Sequence, residues 1–165
     1  MPNPPKRLKR VYRSLSPEDR RKLLDFWLGL GVLSPEQALE RADQAVYLCL
    51  NEADEIIGVN TVYVDHLLLP NNLYYFYRTL IHPDYRNSYQ ILISMINATY
   101  DLLKAQYQKG KGPKGLAFAV ENEKLAKTLF LARFRETTPL SFERFPYLYA
   151  GRDGNGQDLW YRNFF

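Results

Sequence analysis

The stretch from Leu73 to Tyr107 constrains the fold most. It joins a nine-residue aromatic run, LYYFYRTLI, to a long helical pattern, YQILISMINATYDLLKAQY, through the polar connection HPDYRNS. The first run reads as a strand, and Pro83 must end or follow it because proline has no N–H to give to a ladder. Strand alternation places Tyr75 and Tyr77 on one face and Tyr74 and Phe76 on the other. In the helical pattern Ile91, Leu92, Met95, Ile96, Thr99 and Leu103 share a face. Gly110, Gly112 and Pro113 stop that helix, and the apolar segment GLAFAV after them reads as a central strand covered on both faces.

The flanks fill in the order of elements. Ser16-Pro17-Glu18-Asp19 has a capping serine, a proline at the first helical position and acids in the first turn, which predicts a helix to Gly29. Leu23, Leu24, Trp27 and Leu28 give it one apolar stripe. Ser34-Pro35-Glu36 repeats the signal for a short second helix to about Arg41. AVYLCLNEADEIIGVNTVYVD then reads as two strands in a hairpin, broken at Asn51 to Glu55. Asn122 leads into EKLAKTLFLARF, a helix with Leu125, Leu129 and Phe130 on its inner side. The tail carries Asp153-Gly154-Asn155-Gly156 between aromatic runs, a hairpin turn that calls for positive φ. The order is α-α-β-β-β-α-β-α-β-β without internal repeats, a mixed α/β chain.

With 165 residues, the chain has the size of one domain. We assign residues 11–165 to it and residues 1–10 to a flexible basic tail, where Lys6, Arg7, Lys9 and Arg10 cluster. Net charge is +4, but no binding motif follows the tail, so it reads as a solvated arm and nucleic acid is not an expected partner. Cys49 is the lone cysteine, which rules out an internal disulfide and makes a cytoplasmic location the expectation. No apolar run approaches the about 20 residues of a membrane span, and the start lacks a signal-peptide stretch.

Isolated polar candidates each have an ordinary reading beside a functional one. His82 is either a base near a bound substrate or a solvated loop residue before proline. His66 either lines a cleft or lies on the surface. Asp65 and Glu121 stand near strand ends, where such carboxylates orient an amine, cap a helix or face water. Cys49 alternates with Tyr47 on a strand and reads as a small core residue. Two separated histidines and one cysteine make no metal site.

Three local patterns carry a family resemblance: Ile56-Ile57-Gly58-Val59 at the second strand, Leu80-Ile81-His82-Pro83-Asp84-Tyr85-Arg86 leaving the third, and Asn122 twelve residues before Phe134. Together with the element order they make the chain, from about Val11 onward, similar to the GNAT (N-acetyltransferase) superfamily, as a divergent member. The resemblance implies a central mixed, mostly antiparallel sheet flanked by helices. It implies transfer of an acetyl or acyl group from acetyl-CoA or another acyl-CoA to an amine, with no metal. Backbone at Leu80 and Ile81 would pair with pantetheine by strand addition. Arg86 and the amides of Asn87, Ser88, Tyr89, Gln90 and Ile91 would face the pyrophosphate at the helix start, and Asn122 would complete the donor site.

The chain also departs from the family. Tyr89 and Ile91 stand where glycines usually let the backbone approach phosphate. Either coenzyme A is held more loosely, or the donor is an acyl carrier protein with its single phosphate, an acidic partner for a basic chain. Leu129 stands where a tyrosine commonly protonates the leaving thiolate, which leaves Tyr75, Tyr77 and His82 as candidate catalytic groups. The implied activity is direct N-acyl transfer to a small-molecule or protein amine, with a non-catalytic binding or regulatory module as the alternative. Aromatic strands near an edge leave a homodimer open.

Overall fold

The computed structural model describes residues 7–86, 89–121 and 146–165, and Tyr89 by its backbone alone. Both serine–proline signals open helices. In α1 (Pro17–Leu30) the Asp19 N–H donates to Ser16 Oγ at 3.1 Å. Gly31 ends it in the left-handed region at φ 66°, its N–H reaching the Leu28 carbonyl at 3.1 Å, as glycine does after a helix. In α2 (Pro35–Ala42) Ser34 and Gln37 form a reciprocal capping box.

Among the described residues seven strands follow one another in the sheet order β1-β2-β3-β4-β5-β7-β6. They are β1 (Arg7–Arg10), β2 (Ala45–Leu50), β3 (Ile56–His66), β4 (Leu73–Ile81), β5 (Gly115–Val120), β6 (Leu148–Arg152) and β7 (Asp158–Asn163), with α3 (Tyr89–Ala105) between β4 and β5. The sheet is mixed and mostly antiparallel with flanking helices, as expected; β4 and β5 are its parallel pair. The helix expected after Asn122, with Leu125, Leu129 and Phe130, lies outside the described residues.

Residues 7–10 were expected in a flexible arm and form β1 instead. Leu8 pairs with Cys49 and Lys9 with Leu48 in an antiparallel ladder. Its charges are held as well: Arg7 meets Asp54 at 2.7 Å and Lys9 meets Asp19 at 2.8 Å. A strand at a sheet edge tolerates such charge because lysine and arginine keep other chains from adding to it.

The described residues fall into two compact units, one drawn from Met1–Tyr63 and Arg78–Gln106, the other from Val64–Tyr77 and Tyr107–Phe165. In the first, β2 alternates between two cores. Leu48 and Leu50 point to α1 and α2 and pack with Leu23, Trp27, Ala38 and Val59. Cys49 points the other way, with Ile57, Ile81, Ile91 and Met95, which belongs to α3. Full burial of residues such as Leu23 and Trp27 contributes about 2 kcal/mol each. One polar side chain crosses this second core. Asn60 is fully buried; its Oδ1 accepts the Tyr47 N–H at 2.8 Å, and its Nδ2 donates to Thr99 Oγ1 at 2.7 Å and the Met95 carbonyl at 3.2 Å. It bridges a bulge in β2 and ties α3 to the sheet.

In the second unit β5 lies between β4 and β7, and β6 and β7 form the expected hairpin. Asp153 Oδ1 accepts the Asn155 and Gln157 N–H groups, and Gly156 takes positive φ at 76°. The core gathers Leu67, Tyr74, Ala117 and Leu159. Gly115 is demanded by packing: a Cβ there would lie 2.3 Å from the Arg162 carbonyl oxygen and 2.7 Å from Tyr74 Cε1. The Tyr74 hydroxyl donates to Asn163 Oδ1 at 2.6 Å, and burial, with Tyr161 beside it, raises its pKa.

Candidate functional site

The first unit contains the segment that leaves β4 and enters α3. The His82 N–H donates to the Ile57 carbonyl at 2.7 Å. Backbone direction alternates along a strand, so Ile81 turns its own N–H and C=O to the edge away from β3. On that edge Arg86 Nε donates to the Ile81 carbonyl at 2.8 Å. Pro83–Tyr85 forms one 3-10 turn between them. Its cap is His82, whose Nδ1 accepts the Asp84 N–H at 3.2 Å, while the ring meets Tyr85 edge-on at 6.1 Å. The ring is thus part of the turn that leads to Arg86.

Arg86 is exposed, and its guanidinium has no carboxylate partner among the described residues. Helix α3 is described from Tyr89, with no acidic residue in its first turn. The first N–H groups of a helix lack partners within it and carry its positive pole. Cation and helix pole thus lie within one short stretch of chain, and among the described residues no carboxylate pairs with the Arg86 guanidinium. Ile91, one of the two side chains in place of a glycine, is 4% exposed and packs with Ile57, Ile81 and Met95. Its bulk goes into the core beneath the helix. Gln90 is exposed, and Leu80 packs partly into the α1–α2 core. Asn87, Ser88 and Asn122 lie outside the described residues.

Other candidates scatter. Tyr75 and Tyr77 belong to the second unit, where Tyr75 is half-buried with its ring 6.3 Å from Phe164 and Tyr77 is buried. His66 Nδ1 accepts the Asn71 N–H, and Asp65 accepts the His66 N–H, so both brace their loop. Glu121 is exposed and Cys49 is buried in the core. Among the described residues no group of three or more His, Cys, Asp or Glu side chains could hold a metal. No described helix is long and apolar enough to cross a membrane. The second unit also has an open cleft of about 430 Å³ lined by Tyr107, Lys109, Gly110, Gly112, Lys114 and Phe165.

Two features escaped the sequence reading. Asn60 stands inside the apolar run IIGVNTVYV, and a polar residue there must find partners once buried; that was its available signal. The second is the contact of Arg78 with the Tyr63 ring, 4.0 Å from the guanidinium carbon to the centroid, which no spacing rule within a single strand could foresee.

No protein-family model and no curated protein sequence matches the chain. Solved structures do. A phosphinothricin acetyltransferase of the GNAT superfamily from Sinorhizobium meliloti, in complex with AcCoA, aligns at TM-score 0.62 and 12% identity over 96% of this chain and 88% of the other. Arabidopsis thaliana NAA60, in complex with acetyl-CoA, aligns at TM-score 0.62 and 12% identity, covering 96% and 98%. Ribosomal-protein-S5-alanine acetyltransferase from Vibrio fischeri aligns at TM-score 0.60 and 15% identity, covering 96% and 92%. With so little identity the likeness speaks for architecture, and the chain has the fold of the GNAT acetyltransferases.

Proposed function

We propose that the chain is an N-acyltransferase that takes an acyl group from acyl-CoA and passes it directly to an amine. The observation that carries this reading is the Arg86 turn. Its guanidinium is anchored on the strand edge at Ile81, has no carboxylate partner among the described residues, and belongs to a residue three positions before Tyr89, where α3 begins. Phosphate oxygens are the natural ligands of such a pair, because charge-assisted hydrogen bonds from guanidinium and helix amides add to the helix field. On this reading the amides that open α3 face the phosphates, and Ile81, whose backbone turns to the edge away from β3, receives pantetheine by strand addition. The inward course of Ile91 supports the reading, since that side chain goes into the core and not over the helix start. Two structures of the same fold were solved with acetyl-CoA.

Transfer itself needs little covalent machinery. The amine nitrogen attacks the thioester carbonyl carbon, the C–N bond forms as the C–S bond breaks, and the proton lost by nitrogen ends on the coenzyme A sulfur. Holding the two reactants in line supplies much of the rate, about 7–11 kcal/mol at its best. A lone buried thiol, Cys49, fits the cytoplasm, where acyl-CoA is made and used.

The test is amine-dependent release of thiol from acetyl-CoA across a panel of small amines and peptides. The reading predicts acetylated product equimolar with released thiol for at least one class of amine. Acetyl-CoA binding without any transfer across the panel would replace it with a binding module.

A further inference from the structure

Arg78 is half-buried in the middle of β4. Arg7, Arg20 and Arg152 each meet an aspartate; Arg78 meets none among the described residues. What it has is the ring of Tyr63, with its guanidinium carbon 4.0 Å from the ring centroid. Two residues on, Leu80 points to the same side of β4 and packs with Leu48 and Val59 beneath α1 and α2. Tyr63 and Arg78 therefore stand at the rim of that core, on the α1–α2 face of the first unit.

A guanidinium on an aromatic face is held through its flat side. Its N–H donors all lie in its plane and point outward from the stack, and they match two carboxylate oxygens side by side. The stack fixes the donors in advance, so less side-chain freedom is lost when an anion arrives. A lysine could not be held in this manner.

We propose that Arg78, held flat on Tyr63, binds a carboxylate of the acceptor, so that the substrates of this chain are amines that also carry a carboxylate. The proposal rests on the acyltransferase reading above. It places the acceptor's anion on β4 and leaves the donor's phosphates to Arg86, eight residues further along the chain.

Each arginine can report separately. The full chain with ¹⁵N-labelled arginine would be followed through its side-chain Nε–H signals, those of Arg78 and Arg86 being assigned by their loss in Arg78→Lys and Arg86→Lys. Two probes are added in turn: acetyl-CoA, then a set of N-acetylated amino acids, which resemble products, each beside its primary amide. We expect acetyl-CoA to move the Arg86 signal. We expect at least one N-acetyl amino acid to move the Arg78 signal saturably, with half-saturation below about 10 mM, and its amide to leave it in place. Equal shifts with acid and amide, or a shift that chloride reproduces, would overturn the proposal, as would no movement of Arg78 with any acid. If Arg86 responds and Arg78 does not, the acceptor inference fails while the donor reading stands. If Arg78 responds and Arg86 does not, the carboxylate site stands, its role in acyl transfer falls, and the donor reading fails with it.

Discussion

Four cations around β1, α1 and α2 meet carboxylates, and the two arginines at the end of β4 and just beyond it meet none among the described residues. On the first side Arg7 meets Asp54, Lys9 meets Asp19, Arg20 meets Asp43 and Lys22 meets Glu18. On the second, Arg86 rests on a carbonyl and Arg78 on a tyrosine ring. Matched pairs at a surface add little stability and hold local geometry. An arginine held by neutral groups keeps its charge available, and its cost is recovered when an anion binds. On the proposed reading, the difference separates a scaffold from a site within one unit of the chain.

Substitutions should therefore divide into those that move the melting temperature and those that move affinity. The largest effect is expected from Asn60→Ala, which removes the buried amide joining Tyr47, Met95 and Thr99. It should cost about 3 kcal/mol, or about 10 °C in melting temperature, measured by thermal unfolding. An unchanged melting temperature would mean that α3 is not tied to the sheet through this residue.

Next is Arg86→Ala, expected to weaken acetyl-CoA binding by about tenfold to a hundredfold, the range of one or two charge-assisted hydrogen bonds. Its melting temperature should move by no more than about 1 °C, because the side chain is exposed. A fall in stability without loss of affinity would place Arg86 with the matched charges and break the comparison.

Asp19→Asn should cost about 1 kcal/mol at neutral pH. Burial alone would raise the Asp19 pKa, but the hydrogen bond and charge of Lys9, with Ser16 and Lys22, outweigh it and hold the carboxyl below its ordinary value. A pKa lowered by folding stabilises at pH above the unfolded carboxylate range, and that contribution disappears as pH falls through the folded value. Wild type and Asp19→Asn should thus differ in melting temperature at pH 7 and converge as pH falls below the ordinary carboxylate range. The smallest effect belongs to Arg7→Ala, whose pair is exposed on both sides; less than about 0.5 kcal/mol is expected, with no change in acetyl-CoA binding.

Much of this fold was legible because its signals are local. The capping serines, the alternation of LYYFYRTLI and the face of α3 each work within a dozen residues, and those elements fall where the sequence predicted them. Strand β1 was not legible. RLKR has one apolar residue, and its structure comes from pairing with β2 some forty positions away. The candidate site was legible as a stretch, from Leu80 to Ile91, and not as geometry. The sequence marked Ile91 as an obstruction by analogy with glycine, while the phase of α3 turns it into the core. Nor could spacing reveal that Arg86 folds back on Ile81, since that bond depends on the turn at Pro83–Tyr85.

The most direct measurement is calorimetric titration of the wild-type chain and of Arg86→Ala with acetyl-CoA, a longer acyl-CoA and free coenzyme A. The account predicts saturable binding of all three to wild type at micromolar concentration, and a loss of about tenfold or more for all three in Arg86→Ala, because the phosphates they share are what Arg86 holds. No binding by any of them, or equal binding by both proteins, would contradict it.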